Sequence, residues 1–167
     1  MIWSVAVLTF VTVQRLGELV LARANTRRLL AQGATEHGAG HYPIIVALHA
    51  AWLAGLWALA WDRPLHIGWL AVFGALQLAR IWVIAALGRR WTTRVIILPG
   101  EPLVHRGPYR LIRHPNYAVV AAEIAVLPIA FDLWLYAALF FAANALVLRH
   151  RIRTENAALA AFSVRIR

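Results

Sequence analysis

The sequence predicts an all-α integral membrane protein of about five transmembrane helices, and three observations carry that reading. Hydrophobic residues make up 62% of the 167-residue chain and charged residues 14%, which is more apolar than an ordinary soluble domain. Apolar segments approaching the ~20 residues needed to cross a bilayer core recur along it. All 17 Lys+Arg residues are arginine, and most cluster in the short polar stretches between those segments. A net charge of +10 would raise the question of nucleic acid in a soluble protein. Here it matches the positive-inside pattern of membrane loops, and no nucleic-acid partner is expected.

The apolar segments are residues 1–21, 43–61, 65–87, 117–131 and 133–148. The first three are near full span length. The last two are shorter and separated only by Asp132, so they predict a thin hairpin or spans that borrow length from Pro115 and Arg149. Arg23, Arg27 and Arg28 follow the first span. Arg89, Arg90, Arg94, Arg106, Arg110 and Arg113 separate the third from the fourth, and the tail from Arg149 is basic again. The turns around Asp62-Arg63 and Asp132 are nearly neutral. Five crossings then place the amino terminus outside and the arginine-rich segments and carboxyl terminus in the cytoplasm, as in an inner-membrane protein. Trp3, Trp61, Trp69 and Trp134 fall near the expected outer ends, where an aromatic belt would lie. The first segment lacks a basic leading region and a small-residue cleavage site, so no cleaved signal peptide is expected. Residues 1–167 read as a single membrane domain, with three spans and their loops in 1–90 and a more polar half in 91–167.

Within the apolar segments sit Arg15, Glu18, His49, Gln77, Arg80, Glu123 and Asn144, each costly to leave facing lipid and therefore expected to face inward. Arg15 and Glu18 are three apart on one helix face, and Arg80 can pair with Glu123 between helices. They form either a structural polar network that holds the bundle together or part of a functional site, since intramembrane ion pairs serve both purposes. With no cysteine, the chain cannot form a disulfide, a thiolate zinc site or a thiol nucleophile. His37 and His41 have helical metal-ligand spacing, but Gly38 and Gly40 make a helix improbable there, and no metal site is expected.

The polar cluster from Arg106 to Tyr117, RGPYRLIRHPNY, lies between two apolar segments and is where chemistry would sit. Pro99-Gly100, Pro102 and Gly107-Pro108 predict a folded loop through residues 91–111. Pro115 pushes His114 toward extended geometry and suits the first turn of the fourth helix. Arg151 and Glu155, four apart, share one face if a helix continues out of the fifth span. As a solvated ion pair they would contribute only ~0.2–0.5 kcal/mol, and the Arg-before-Glu order opposes the helix dipole.

Together, Leu103-Val104, Gly107-Pro108-Tyr109, Arg113-His-Pro-Asn-Tyr117 and Arg151-x-x-x-Glu155-Asn-x-x-Leu159 resemble the isoprenylcysteine carboxyl methyltransferase family over roughly the carboxyl-terminal half. The short length and the phrases Arg15-Leu-Gly-Glu18, Asn25-Thr-Arg-Arg28 and His41-Tyr-Pro43 look more like its small bacterial branch, some of whose members methylate hydroxyls of phenolic or pyrone lipids. The resemblance implies an S-adenosylmethionine-dependent O-methyltransferase with a cytoplasmic cofactor pocket in residues 91–167. It places Glu101, Pro102, Leu103, Val104, Tyr109, His114, Pro115, Asn116, Tyr117 and Glu155 at the cofactor. Arg151 would hold the acceptor, and Arg151, Glu155 and His114 would be the catalytic set. Glu101-Pro102 departs from the family's polar pair, and Asn156 stands where the family has a second acid.

The implied chemistry suits these residue types. Methyl transfer from a sulfonium is a direct displacement, so positioning supplies much of the catalysis. A carboxylate acceptor needs a cation such as Arg151; a phenol, with pKa ~10, needs a base such as His114. Tyrosine faces suit an adenine or a sulfonium. The expected partners are a lipophilic small-molecule acceptor and the bilayer. Two other classes fit the same motifs: an NADPH-dependent membrane reductase related to the sterol reductases, whose longer body is missing here, and a non-catalytic lipid-binding protein.

Overall fold

The computed structural model describes residues 1–164, with side chains through residue 161; the tail's Arg165 and Arg167 lie outside the described residues. Five helices follow in order: α1 Ile2–Ala31, α2 Tyr42–Ala60, α3 Ile67–Leu87, α4 Pro115–Ala130 and α5 Trp134–Val164. Three stretches, Ile2–Ala31, Ala39–Ala60 and Ile67–Arg90, are long and apolar enough to cross a membrane, which marks an integral membrane protein. The 16 residues of α4 reach only about 24 Å at 1.5 Å per residue.

The all-helical expectation needs one correction. Strand β1, Thr35–His37, pairs antiparallel with β2, Val95–Ile97, in the register Thr35–Ile97, Glu36–Ile96 and His37–Val95. β2 is part of a β-branched run suited to a pleated ribbon. The ribbon ties the α1–α2 connection to the loop after α3. His37 therefore lies in a strand, and Gly38, in the left-handed region at φ 65°, separates it from the turn holding His41.

Helix α1 also runs well beyond its expected end at residue 21, because Ala22, Asn25 and Leu29 continue its buried stripe past the arginines. Asn25 donates through Nδ2 to the Trp91 carbonyl at 2.8 Å. At its carboxyl end, α4 closes in a turn: the Leu133 amide bonds the Pro128 carbonyl at 3.0 Å, with Asp132 left-handed at φ 61°, a conformation aspartate tolerates. The last two apolar segments do borrow length, since α4 starts at Pro115 and α5 continues through Arg149.

Packing is layered along the bundle. At one end an apolar core joins Leu8 and Val11 of α1, Trp52 and Leu56 of α2, Phe73 of α3, and Ile124, Leu127 and Phe131 around α4. Trp52 Nε1 donates to the Ile124 carbonyl at 3.2 Å, so the buried indole is satisfied. Trp3, Trp61, Trp69 and Trp134 are exposed at this end, and Trp69 and Trp134 meet edge to face.

The next layer is ionic. Glu123, fully buried, accepts from Arg15 Nη2 and Arg80 Nη1, both at 2.8 Å, and from Gln77 Nε2 at 2.8 Å. Glu18 accepts from Arg15 Nη1 at 3.1 Å and Arg80 Nη2 at 2.5 Å, and also from Arg80 Nε. Two arginines thus meet two glutamates from three helices, leaving no net charge. Both pairings expected from the sequence form. His49 bonds the Ile45 carbonyl, and Asn144 is buried on α5.

Candidate functional site

Beyond the ionic layer the bundle opens into a cavity of about 820 Å³, within the ~300–1,000 Å³ typical of ligand sites. One wall comes from residues 95–105, another from Tyr109 to Tyr117 at the entrance of α4, and a third from Arg151, Glu155, Asn156 and Leu159 of α5. Leu29 of the overlong α1 also lines the cavity.

Local sequence explains the second wall. Gly107 adopts φ 57°, which favours glycine, and opens the 3₁₀ turn Gly107–Arg110 that presents Tyr109. Burial, with a smaller contribution from the Glu155 carboxylate, raises the Tyr109 pKa above the usual phenol value. Tyr109 therefore stays a neutral donor. His114 sits just before Pro115 at φ −128°, and its ring stacks on Tyr117 at 5.4 Å between centroids.

The hydroxyl of Tyr117 is the hub of the third wall. It donates to Glu155 Oε2 at 2.5 Å and accepts from Arg151 Nε at 2.8 Å. Arg151 Nη2 donates to the Thr93 carbonyl at 2.8 Å, and the guanidinium lies 5.4 Å from the Tyr117 ring centroid. Among the described residues, Nη1 of Arg151 and Oε1 of Glu155 make no hydrogen bond. The Nη1 amino group of Arg151 and the Oε1 atom of Glu155 are thus left for ligands. His114 Nδ1 stands 3.9 Å from Glu155 Oε2. Arg151 and Glu155 form no direct ion pair: the tyrosine separates them.

Thr93 is in turn held from the amino-terminal half. Its hydroxyl meets the Tyr42 hydroxyl at 3.0 Å. Next to it, Arg94 lies over the Tyr42 ring at 4.3 Å and pairs with Glu36 at 2.8 Å. On the first wall, Glu101 is engaged by Arg90, which also donates to the Pro102 carbonyl at 2.6 Å.

Of the residues expected at the cofactor, Glu101, Pro102, Leu103, Val104, Tyr109, His114, Asn116, Tyr117 and Glu155 all line this cavity, and so does Arg151. Pro115 does not. It is buried in the first turn of α4, where its ring sets the helix entrance. The sequence reading missed Leu29, Thr92, Arg94, the 95–99 run and Leu159 as lining residues. The apolar character of residues 95–98 is the one signal that could have pointed to a pocket wall.

A helical body with three helices fit to cross a membrane and a mixed polar and aromatic cavity at one end defines an integral membrane protein with a candidate ligand site. Residues 69–161 match the model of the isoprenylcysteine carboxyl methyltransferase family, and the chain belongs to that family. Over 158 residues it is 39% identical to the uncharacterized protein YpbQ of Bacillus subtilis (strain 168), covering 92% of this chain and 94% of that one. No solved structure matches.

Proposed function

We propose that the protein is an S-adenosylmethionine-dependent O-methyltransferase acting on a carboxylate or a phenolic or enolic hydroxyl of a lipophilic acceptor. Family membership supports the cofactor. The observation that carries the reading is the Arg151–Tyr117–Glu155 chain, which turns an unpartnered donor and an unpartnered acceptor toward one cavity. A sulfonium cofactor is a cation with an adenine ring, and the cavity offers both a carboxylate and aromatic faces.

Bound there, S-adenosylmethionine supplies an electrophilic methyl group. Residues 101–104, Tyr109, Asn116 and Tyr117 would form its bed, and Glu155 would receive its positive end. Arg151 would orient the acceptor oxygen through Nη1, its plane fixed by Tyr117 and Thr93. Holding the oxygen in line with the methyl carbon is the main catalytic contribution available to these side chains. For a hydroxyl acceptor, His114 is the base at hand, and for a carboxylate no base is needed.

In this reading all five helices cross or enter the bilayer, with the amino terminus outside and the cavity facing the cytoplasm. The cofactor then arrives from the cytosol and the acceptor from the bilayer. Incubating membranes with methyl-labelled S-adenosylmethionine should transfer label to the lipid extract. Tight NADPH binding with no response to S-adenosylmethionine would sink the proposal.

A further inference from the structure

Between Tyr109 and His114 the side chains divide, and Arg110, Leu111 and Ile112 stand outside the cavity wall. Tyr109, Arg113 and His114 line the cavity wall, yet Leu111 is 74% exposed and Ile112 50%. Two large aliphatic side chains thus stand free between Arg110 and Arg113, both also exposed. Arg110 spends only Nε, on the His105 carbonyl at 3.1 Å. Arg113 has no hydrogen bond or ion pair among the described residues.

The depth of this segment is set by α3. Gly107 packs so closely on that helix that a Cβ would stand 3.1 Å from Trp82 Nε1 and 3.2 Å from Ala86 Cβ. Arg106 Nε donates to the Ala86 carbonyl at 2.7 Å. Ala86 is one residue from the end of α3, and Trp82 lies about one turn further in. The same flank of α3 exposes Leu78, Ile81 and Trp82, an apolar surface suited to contact with lipid in a spanning helix. The Arg106–Gly107 start of this segment therefore packs on a flank of α3 that would face lipid in a bilayer, at the level of an interfacial tryptophan.

We infer that residues 110–113 form an interfacial anchor: Leu111 and Ile112 enter the acyl boundary while Arg110 and Arg113 bind the phosphates of anionic phospholipids. Apolar insertion flanked by guanidinium groups is the pattern of membrane-surface segments. Charge complementarity selects acidic headgroups over zwitterionic ones.

The cysteine-free chain allows a single fluorophore at Leu111→Cys in the full-length protein, reconstituted in vesicles of phosphatidylcholine and phosphatidylglycerol in equal parts. Quenching by nitroxide-labelled phosphatidylglycerol is compared with quenching by nitroxide-labelled phosphatidylcholine. The anchor predicts quenching by lipid and little by aqueous iodide. It also predicts a preference for phosphatidylglycerol of about fivefold per arginine, the ratio a ~1 kcal/mol contact produces. Arg110→Gln with Arg113→Gln should abolish that preference, and Arg153→Gln should leave it intact. Quenching by iodide alone, equal quenching by the two lipids, or a preference that survives the double substitution would each overturn the inference. So would a preference erased by inorganic phosphate but not by sodium chloride of equal ionic strength, which would mark a site for free anions.

Discussion

Arg151 and Glu155 stand one turn apart on α5 and touch only through the Tyr117 hydroxyl, which accepts from Arg151 Nε at 2.8 Å and donates to Glu155 Oε2 at 2.5 Å. A direct pair would neutralise both groups. The inserted phenol instead fixes each side chain while leaving Arg151 Nη1 and Glu155 Oε1 available.

Tyr117→Phe removes that hydroxyl and leaves the buried Arg151 Nε without its acceptor. An unsatisfied buried donor costs ~1–3 kcal/mol. Calorimetry of the detergent-purified variant should therefore show weaker S-adenosylmethionine binding, and labelled-methyl assays should show slower transfer.

Arg151→Lys keeps the charge but loses the planar fork that reaches Tyr117 and Thr93 together. Methyl transfer should fall by more than about tenfold, a loss of ~1.4 kcal/mol or more, with the melting temperature little changed. Arg153→Lys, at an exposed position, should transfer methyl groups like the wild type. Equal losses in the two variants would remove Arg151 from the site.

Glu155→Gln tests the carboxylate. If it pairs a desolvated cationic group, cofactor binding should weaken by ~2–5 kcal/mol, while S-adenosylhomocysteine, which lacks the sulfonium charge, should lose much less. Titrating both ligands into the wild type and the variant separates charge recognition from shape.

Glu123→Ala should be the most damaging substitution in the bundle. Glu123 is fully buried against Arg15 and Arg80, and removing one partner of a buried ionic cluster costs ~3–5 kcal/mol. Thermal unfolding in detergent should show the drop, and a melting temperature equal to wild type would contradict the ionic layer as a structural element.

Orientation is tested with single cysteines at His105 and Asp62, both exposed. In intact cells an impermeant thiol reagent should label Asp62→Cys and spare His105→Cys. The reverse pattern would invert the proposed topology.

Much of this molecule can be read in its sequence because membrane burial makes polar residues conspicuous. Arg15, Glu18, Arg80 and Glu123 stand out from apolar runs, and the pairs expected of them form. The motif residues from Tyr109 to Tyr117 and on α5 do gather around one cavity. What escaped notice depends on backbone or on distance. The Thr93 carbonyl that holds Arg151 has no residue signature, since any amino acid offers one. Strands of three residues carry too little alternation to announce a pairing between Thr35–His37 and Val95–Ile97. The continuation of α1 to Leu29 was hidden by arginines, which end a hydrophobic run without ending a helix.

The neutral cluster of four charges also constrains how the chain is built into a bilayer. Helix α1 carries Arg15 and Glu18 three residues apart and arrives already balanced. Helix α3 brings Arg80 and α4 brings Glu123, each without a counter-charge on its own helix at the contact. Inserting one such charge alone costs ~2.5–3.5 kcal/mol, a burden that α3 can carry on 21 residues but that weighs more on the 16 of α4. During synthesis α4 therefore gains most by entering against an α3 already in place. The bond from Arg80 to Glu123 thus offsets, in the assembled bundle, the cost of a buried charge on the short helix that carries His114 and Tyr117 at its mouth.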